Sequence, residues 1–524
     1  MAQQRITFSS ILDGQSPTQY FASANSYLKS IAIDPDMPIS GNYKASGCIV
    51  PVVYEEFSGA ALTGYPKWII TNIKDTNVYT YSSDGTFISY SSVLGTETAL
   101  TTPTSGAGNG ACYYDNYIYL ATPTDVARYG PLNGSPALVQ TVWSGATLGS
   151  NAVTTNTTFP TISGLQLPNH VMHVHGDNSV YFSDVVSGAG VLHRIKTRKT
   201  TVEGDTNDGS TFNVLDLPFG WLITDIDSWG LDVAILAIQT TSAAVDQGKA
   251  ALFLWDPTNV NTFYAGPIYL PDPLGTSLMN VNGHLYIWSG NSVGGCRLSE
   301  YLGGNSISEI AFIEDGKPPM AGACESDGGR ILWGMTVADP EAATCVMAYG
   351  SKSNRLAKAL HNIIRTTSAG ANGICTAIKM VQQGDLTTKI VVGSGDDSAK
   401  QLDKYSTTGT YDSIWRSNIV SIGAGFSISK IRIPLGAALA ANMAITPKVY
   451  YDDASTSKTL NVINTTNFTS GARKIIYNQG DIKSDSINPK NNFFIELAFA
   501  GTVNLPITFP IEVVVDVRED EGND

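Results

Sequence analysis

The chain has 524 residues, 15% of them charged and 43% apolar, with 32 basic against 46 acidic side chains and a formal net charge of −14. Low charge with abundant apolar residues excludes a disordered chain, and the composition lacks the Ala, Glu and Lys richness of a coiled coil. An acidic chain does not gain the counterion release that drives most nucleic-acid binding, and anionic membrane surfaces are disfavoured for the same reason.

The 50 glycines and 24 prolines sit among Thr, Ser, Asn, Tyr and Val. This is the composition of strands joined by tight turns. In chain order, residues 1–40 show no period and no secretory leader, and they read as an arm lying on a partner or on the surface of the next domain. Cys48-Ile-Val-Pro-Val-Val-Tyr54 reads as an apolar strand.

A short phrase then recurs, in which an Asn, Asp or Gly turn leads into an apolar–aromatic strand. Asp115-Asn-Tyr-Ile-Tyr-Leu120, Asp177-Asn-Ser-Val-Tyr-Phe182, Asn282-Gly-His-Leu-Tyr-Ile-Trp288 and Asp327-Gly-Gly-Arg-Ile-Leu-Trp333 are the clear copies. Asp75 to Tyr81 is looser, and Leu222 to Ile238 and Ala377 to Val392 are weaker. Each follows another apolar stretch by a short turn, which makes a β-hairpin. The first strands fall near residues 70, 111, 171, 222, 279, 321 and 377. A spacing of roughly 50 residues with a hairpin in every unit predicts a β-propeller of about seven blades over residues 41–423. Cys48 to Tyr54 is the candidate closing strand.

The longest apolar run, Leu231 to Ile238, fits a buried strand and falls short of the ~18 residues of a membrane span. Leu356, Leu360, Ile363 and Ile364 fit one face of a helix, but the outer strand of a blade accounts for them equally. After Gly423 the texture changes. Five strands between Phe426 and Val517 predict a small β-sandwich over 424–517, followed by a solvated acidic tail at 518–524.

The chemistry-bearing residues are sparse. Six cysteines (48, 112, 296, 324, 345 and 375) are scattered without a CxxC pair and read as buried thiols of a protein made in a reducing cytoplasm. His170, His173 and His175 cluster on one hairpin. The last two share a strand face, as His-x-His metal chelation requires. No fourth ligand is indicated, and a polar strand face beside a turn is the preferred reading.

Ser82-Ser-Asp-Gly-Thr-Phe87 resembles the Asp-box of sialidase propellers with the spacing one short, and reads as a turn. Glu203 to Gly209 violates the spacing of a calcium loop, and Gly393 to Asp397 lacks the ending of a phosphate-binding loop; both also read as turns. Arg194, Lys196 and Arg198 alternate on one strand, a basic patch suited to an acidic neighbour subunit or a phosphate, or else a solvated outer strand. Asp225 with Asp227, and Asp452 with Asp453, are too generic to mark a carboxylate pair for glycoside cleavage. No catalytic, cofactor-binding or metal-ligating residue is assigned.

Lys430-Ile-Arg-Ile-Pro-Leu-Gly436, Val449-Tyr-Tyr-Asp-Asp453, Asn491-Asn-Phe-Phe-Ile-Glu-Leu497 and Leu505-Pro-Ile-Thr-Phe-Pro-Ile511 together resemble the closing part of structural proteins of tailed bacteriophages, and Gln4-Arg-Ile-Thr-Phe-Ser-Ser10 is similar to their opening. The resemblance implies a non-enzymatic virion protein of the tail, of the nozzle, tube-extension or tip kind. It implies contacts with other virion proteins and with copies of itself in a ring, which would line a DNA conduit if its acidic residues face a lumen. It implies neither a cofactor nor sequence-specific nucleic-acid binding. A tail-tip propeller binding a host surface glycan is the alternative, and a polysaccharide-cleaving propeller is the less favoured third reading.

Overall fold

The computed structural model describes residues 2–16, 26–36, 48–56, 62–71, 77–91, 97–104, 108–144, 161–162, 165–168, 170–195, 211–239, 248–258, 263–292, 294–338, 342–351, 358–366, 374–382, 388–395, 400–406, 408–452, 455–482 and 490–517. It is all-β, with seven antiparallel four-stranded sheets forming a seven-bladed propeller and a further nine strands in a C-terminal domain. The first strands of the blades touch one another around the ring and so line the axis. They are Pro66–Thr71, Gly110–Tyr114, Met172–His175, Trp221–Trp229, Leu274–Val281, Cys324–Ser326 and Ile374–Gln382. Numbered in that order, they open blades 1 to 7.

The recurring phrases are the first hairpins of the blades. Their turns need backbone in the left-handed region, which Asn, Asp and Gly enter at least cost. Asp115 and Asn116 have φ of 47° and 68°, and Asn282 and Gly283 have 55° and 86°.

A four-stranded sheet exposes two apolar faces, and the ring buries both. Along Asp232–Gln239 of blade 4, Val233, Ile235 and Ala237 pack with Tyr181 and Leu192 of blade 3. Ala234, Leu236 and Ile238 pack with Leu278, Leu285 and Ile287 of blade 5. This is why the run reads as continuously apolar, where a sheet with one wet face would alternate. The same sharing recurs between every neighbouring pair of blades, including 7 and 1. Trp288 of blade 5 and Trp333 of blade 6, both fully buried, meet at 5.9 Å between ring centroids.

Closure comes from the N-terminal part of the chain. Tyr54–Glu56 is the outermost strand of blade 7, with Tyr54 opposite Tyr405 and Glu56 opposite Asp403. The expected closing strand therefore contributes its last residue only. Its earlier part is spent elsewhere, with Ile49 bridging Ile507 and Pro51 bridging Ile33. Pro51 lacks the N–H that an inner ladder position needs, which confines it to such isolated bridges.

Of residues 1–40, read in the sequence as an arm lying on a partner or on the propeller, the described strands are built into the C-terminal domain. Ala2–Phe8 pairs antiparallel with Ile511–Val517, and Tyr27–Ile31 with Ser413–Ser417. Both are strands of the C-terminal domain. That domain thus begins before residue 424, and the last propeller strand of the 374–405 region ends at Tyr405. The long strand Val420–Pro434 joins its two layers. Its start pairs with Lys490–Gly501, and after a register break it pairs with Ile511–Val517 and Lys474–Asn478. A strand that changes sheets at such a break makes the corner of a sandwich. Ile431, Ile445, Val449, Ile495, Leu497 and Val513 lie in the enclosed core. The ambiguous apolar segment near 360 is the outer strand Ala359–Arg365 of blade 6, while Leu356 and the 518–524 tail lie outside the described residues.

The N-terminal segment also fastens the two domains. The Gln15 and Ile33 amides donate to the Leu360 and Asn362 carbonyls of blade 6. Ser30 Oγ donates to the Tyr27 hydroxyl at 3.1 Å, which leaves the Tyr27 hydrogen for His361 Nδ1 at 2.9 Å. Burial pushes the His361 pKa down to about 4, so its ring is a neutral acceptor at pH 7. Arg330 of blade 6, with no exposed side-chain surface, meets Asp34 at 2.8 Å, Asp36 at 3.3 Å and Asp327 at 2.7 Å. Removing one partner of a buried charge network leaves the others uncompensated, at a cost of about 3–5 kcal/mol. Arg330→Met is therefore expected to lower the unfolding free energy by about 3–5 kcal/mol in denaturant titration, and a change below about 1 kcal/mol would show that the cluster is not a fastening.

Candidate functional site at the inner strands

Four inner strands carry a bulge at the same register, at Lys67, Thr224, Thr276 and Thr376. Thr224 Oγ1 donates to the Gly275 carbonyl of blade 5 at 2.7 Å, and Thr376 Oγ1 donates likewise to Pro66 of blade 1. Because the registers match, Ile69, Ile226, Leu278 and Ile378 are equivalent, and so are Thr71, Ser228, Asn280 and Met380. At these positions the inner strand presents its unpaired edge, whose N–H groups need acceptors.

Between blades 4 and 5 the acceptors are carboxylates. Asp225 Oδ2 accepts from the Leu278 amide at 2.7 Å and from Ser277 Oγ at 2.9 Å, while its Oδ1 accepts from the Ile226 amide at 2.9 Å. Asp227 repeats the device two residues on, taking Asn280 N at 2.7 Å and Ser228 N at 2.6 Å. The pair that looked generic in sequence is an inter-blade staple. Burial outweighs these donors and raises the Asp225 pKa to about 7, and burial also raises that of Asp227 against the opposing pull of His173.

Blade 3 reaches blade 4 through His173 and His175. His173 Nε2 lies 2.7 Å from Ser228 Oγ and 3.6 Å from Asp227 Oδ1. His175 Nδ1 lies 2.8 Å from the same Oγ, and its Nε2 lies 3.1 Å from the Leu231 carbonyl. A carbonyl only accepts, so His175 carries its hydrogen on Nε2 and takes the Ser228 hydroxyl hydrogen on Nδ1. His173 Nε2–H then donates to Ser228 Oγ. Burial holds the His173 pKa below the usual imidazole range, partly countered by Asp227. A hydrolytic triad needs the serine and the carboxylate on opposite nitrogens of one ring. Here Ser228 and Asp227 both approach Nε2 of His173, and the serine hydrogen is directed at His175, whose far nitrogen rests on a carbonyl.

The third histidine is separate. His170 Nδ1 lies 3.0 Å from the Ser183 carbonyl and 3.7 Å from Asp184, whose other oxygen is 3.3 Å from His193 Nε2, all buried within blade 3. Among the described residues no three His, Cys, Asp or Glu side chains are placed to hold a metal ion.

The other sequence candidates take local roles. Asp177 accepts from Ser179 N at 3.0 Å and Tyr181 Oη at 2.8 Å. Asp84 accepts from Thr86 N at 3.0 Å in the turn of the Asp-box-like stretch. Asp452 accepts from Asn491 N and Asn492 N. Gly393 to Gly395 are strand, not turn. Of the basic patch, Arg194 is half-buried on the third strand of blade 3, opposite Tyr181, whose hydroxyl it hydrogen-bonds. Lys196, Arg198 and the 203–209 loop lie outside the described residues, as do Asp396, Asp397 and Asp453. All six cysteines are free thiols, and among the described residues no helix is long and apolar enough to cross a membrane.

The axis also holds a cavity of about 360 Å³, bordered by inner strands of blades 1, 2, 3, 6 and 7 and lined by Trp68, Thr71, Cys112, Tyr113, His173 and Lys379 among others. Lys379 Nζ stands 2.6 Å from Glu325 of blade 6. Neither Lys379 nor Trp68 was singled out by sequence reasoning. The signal was present in Lys67-Trp-Ile-Ile, Thr224-Asp-Ile-Asp, Thr276-Ser-Leu-Met and Thr376-Ala-Ile-Lys, one short pattern that aligns these positions.

No family model and no curated protein matches the chain. Among solved structures, the chain is similar to the β-propeller domain of Cps50 (Swd1) from Myceliophteria thermophila, at 9% identity over 68% of this chain and 100% of that one, TM-score 0.42. It is similar to the WD40 β-propeller domain of Doa1 at 13% identity over 68% and 97%, TM-score 0.37. A putative oxidoreductase (glucose dehydrogenase) from Thermus thermophilus matches at 12% identity over 55% and 94%, TM-score 0.35.

The Asp225 carboxyl has a folded pKa near 7 against an ordinary value of 3.8. The folded state therefore holds a proton that the unfolded state releases, and its stabilising contribution is lost as pH rises from about 4 through about 7. Asp225→Asn removes this dependence. The melting temperature of the variant relative to the wild type is expected to rise between pH 5 and pH 8, and a difference that is flat or falls with pH would contradict the raised pKa.

Proposed function

We propose that the protein is a non-catalytic assembly component of a bacteriophage tail, built into the particle through contacts with copies of itself and with neighbouring tail proteins. The sequence resemblance of the C-terminal stretch supports the tail setting. The observation that carries the assembly reading is an apolar projection from the hairpins of blades 4 and 5. Leu231 is 88% exposed and Leu302 59% exposed. Trp229 and Tyr301 tie the two together, their rings meeting edge to face at 5.0 Å. Large apolar side chains held outward on rigid hairpins are what a subunit presents to a partner. The polar residues near the axis fit the same reading, since Asp225, Asp227, His173 and His175 are engaged in joining blades.

If its acidic residues face the lumen, a ring of such subunits suits a passage that DNA traverses without adhering. Leu231→Asp with Leu302→Asp is expected to convert the purified assembly to monomers by light scattering and negative-stain microscopy, with the melting temperature moved by less than about 2 °C. A wild-type protein that is monomeric at high concentration, or one that depolymerises a polysaccharide, would overturn this reading.

A further inference from the structure

The internal repeat makes the inner edges of the blades comparable position by position. Between blades 4 and 5, carboxylates at the positions of Asp225 and Asp227 stand on the edge amides of Leu278 and Asn280. The equivalent amides of blade 1 belong to Ile69 and Thr71. The blade before it, blade 7, carries Ala377 and Lys379 where blade 4 carries the two aspartates.

Ala377, fully buried against Ile69, supplies no acceptor, and Lys379 supplies a cation instead of one. Among the described residues no protein acceptor meets the Ile69 or Thr71 amide from the channel side. The cavity of about 360 Å³ opens at this point, with Ile69, Thr71, Ile378 and Lys379 in its wall. None of its wall comes from blades 4 and 5, whose edges the aspartates have closed. Its size falls at the small end of the ~300–1,000 Å³ range of ligand pockets.

We propose that this cavity binds a small organic carboxylate of about monosaccharide size, placed on the edge amides of blade 1 and on the Lys379 ammonium as Asp225 and Asp227 are placed on blade 5. One carboxylate oxygen takes an edge amide, and the other takes Lys379. Lys379 keeps Glu325 as a partner and, with three N–H groups, has donors left for the ligand. Trp68, Tyr113 and Met172 border the space beyond and give the ligand body an apolar and aromatic surface. The inference stands independently of the tail assignment.

Calorimetric titration of the full chain tests it, with acetate, glucuronate and citrate as carboxylates and with glucose and inorganic phosphate as comparisons. At least one carboxylate is expected to bind, with glucuronate roughly tenfold or more tighter than glucose. Lys379→Met is expected to weaken that binding roughly tenfold, while Lys379→Arg retains it. Ala377→Asp rebuilds the staple of blade 4 in blade 7. It is expected to abolish binding with the melting temperature kept or raised, which separates a filled site from a misfolded one. The proposal is overturned if no carboxylate binds below about 50 mM, if glucose binds as well as glucuronate, if phosphate binds more tightly than every carboxylate, or if a folded Ala377→Asp protein binds unchanged.

Discussion

Everything in the propeller depends on each sheet burying both of its faces against the next. A blade alone has two wet faces that its sequence cannot support, because successive residues of strands such as Asp232–Gln239 are apolar on both sides. Burial of such side chains supplies roughly 25 cal/mol per Å² of apolar surface, and an isolated blade would forgo it on both faces. The ring is therefore the smallest unit that satisfies the sequence, with a shared core at every junction, including the one between blades 7 and 1. Shared cores leave one problem unsolved, the inner strand edges around the axis. Threonine hydroxyls, aspartates and histidines solve it locally, each reaching from one blade to the next.

How much of this was legible in the sequence follows from the range of the interactions. Hairpins could be read because the turn chemistry is local. Asp115-Asn116 and Asn282-Gly283 announce left-handed backbone, and the aromatic strand after each completes the signal. The number of blades followed from their spacing. The role of residues 1–40 could not be read, because the partner of Ala2 is Val517, at the other end of the chain. A polar edge strand such as Ala2–Phe8 looks like a loop until its neighbour is known. The apolar segment around Leu360 was equally ambiguous, since short apolar runs fit helix and strand alike until pairing decides.

The candidate site shows the same limit at the level of single residues. His173 and His175 were rightly placed on one strand face, but what they face, Ser228 and the Leu231 carbonyl, comes from another blade. Asp225 and Asp227 looked generic because spacing two apart is common on strands. Their meaning lies in two amides more than fifty residues away. The aligned bulges carry more information than any motif, since they make the blades comparable position by position and expose where blades 7 and 1 depart from the pattern of blades 4 and 5.

Closure by Tyr54–Glu56 has a further consequence for how the molecule comes into being. The strand is made early, yet its partner at Asp403 to Tyr405 emerges from the ribosome some three hundred and fifty residues later, and domains fold as units while the chain is synthesised from its N-terminus. Until then blade 7 is unfinished and its free edge is open to strangers. Ala2–Phe8 and Ile511–Val517 are a second pair far apart in sequence. Such long-range pairing slows folding, and a chain cut before Asp403 leaves Tyr54–Glu56 without its partner strand, an unclasped necklace.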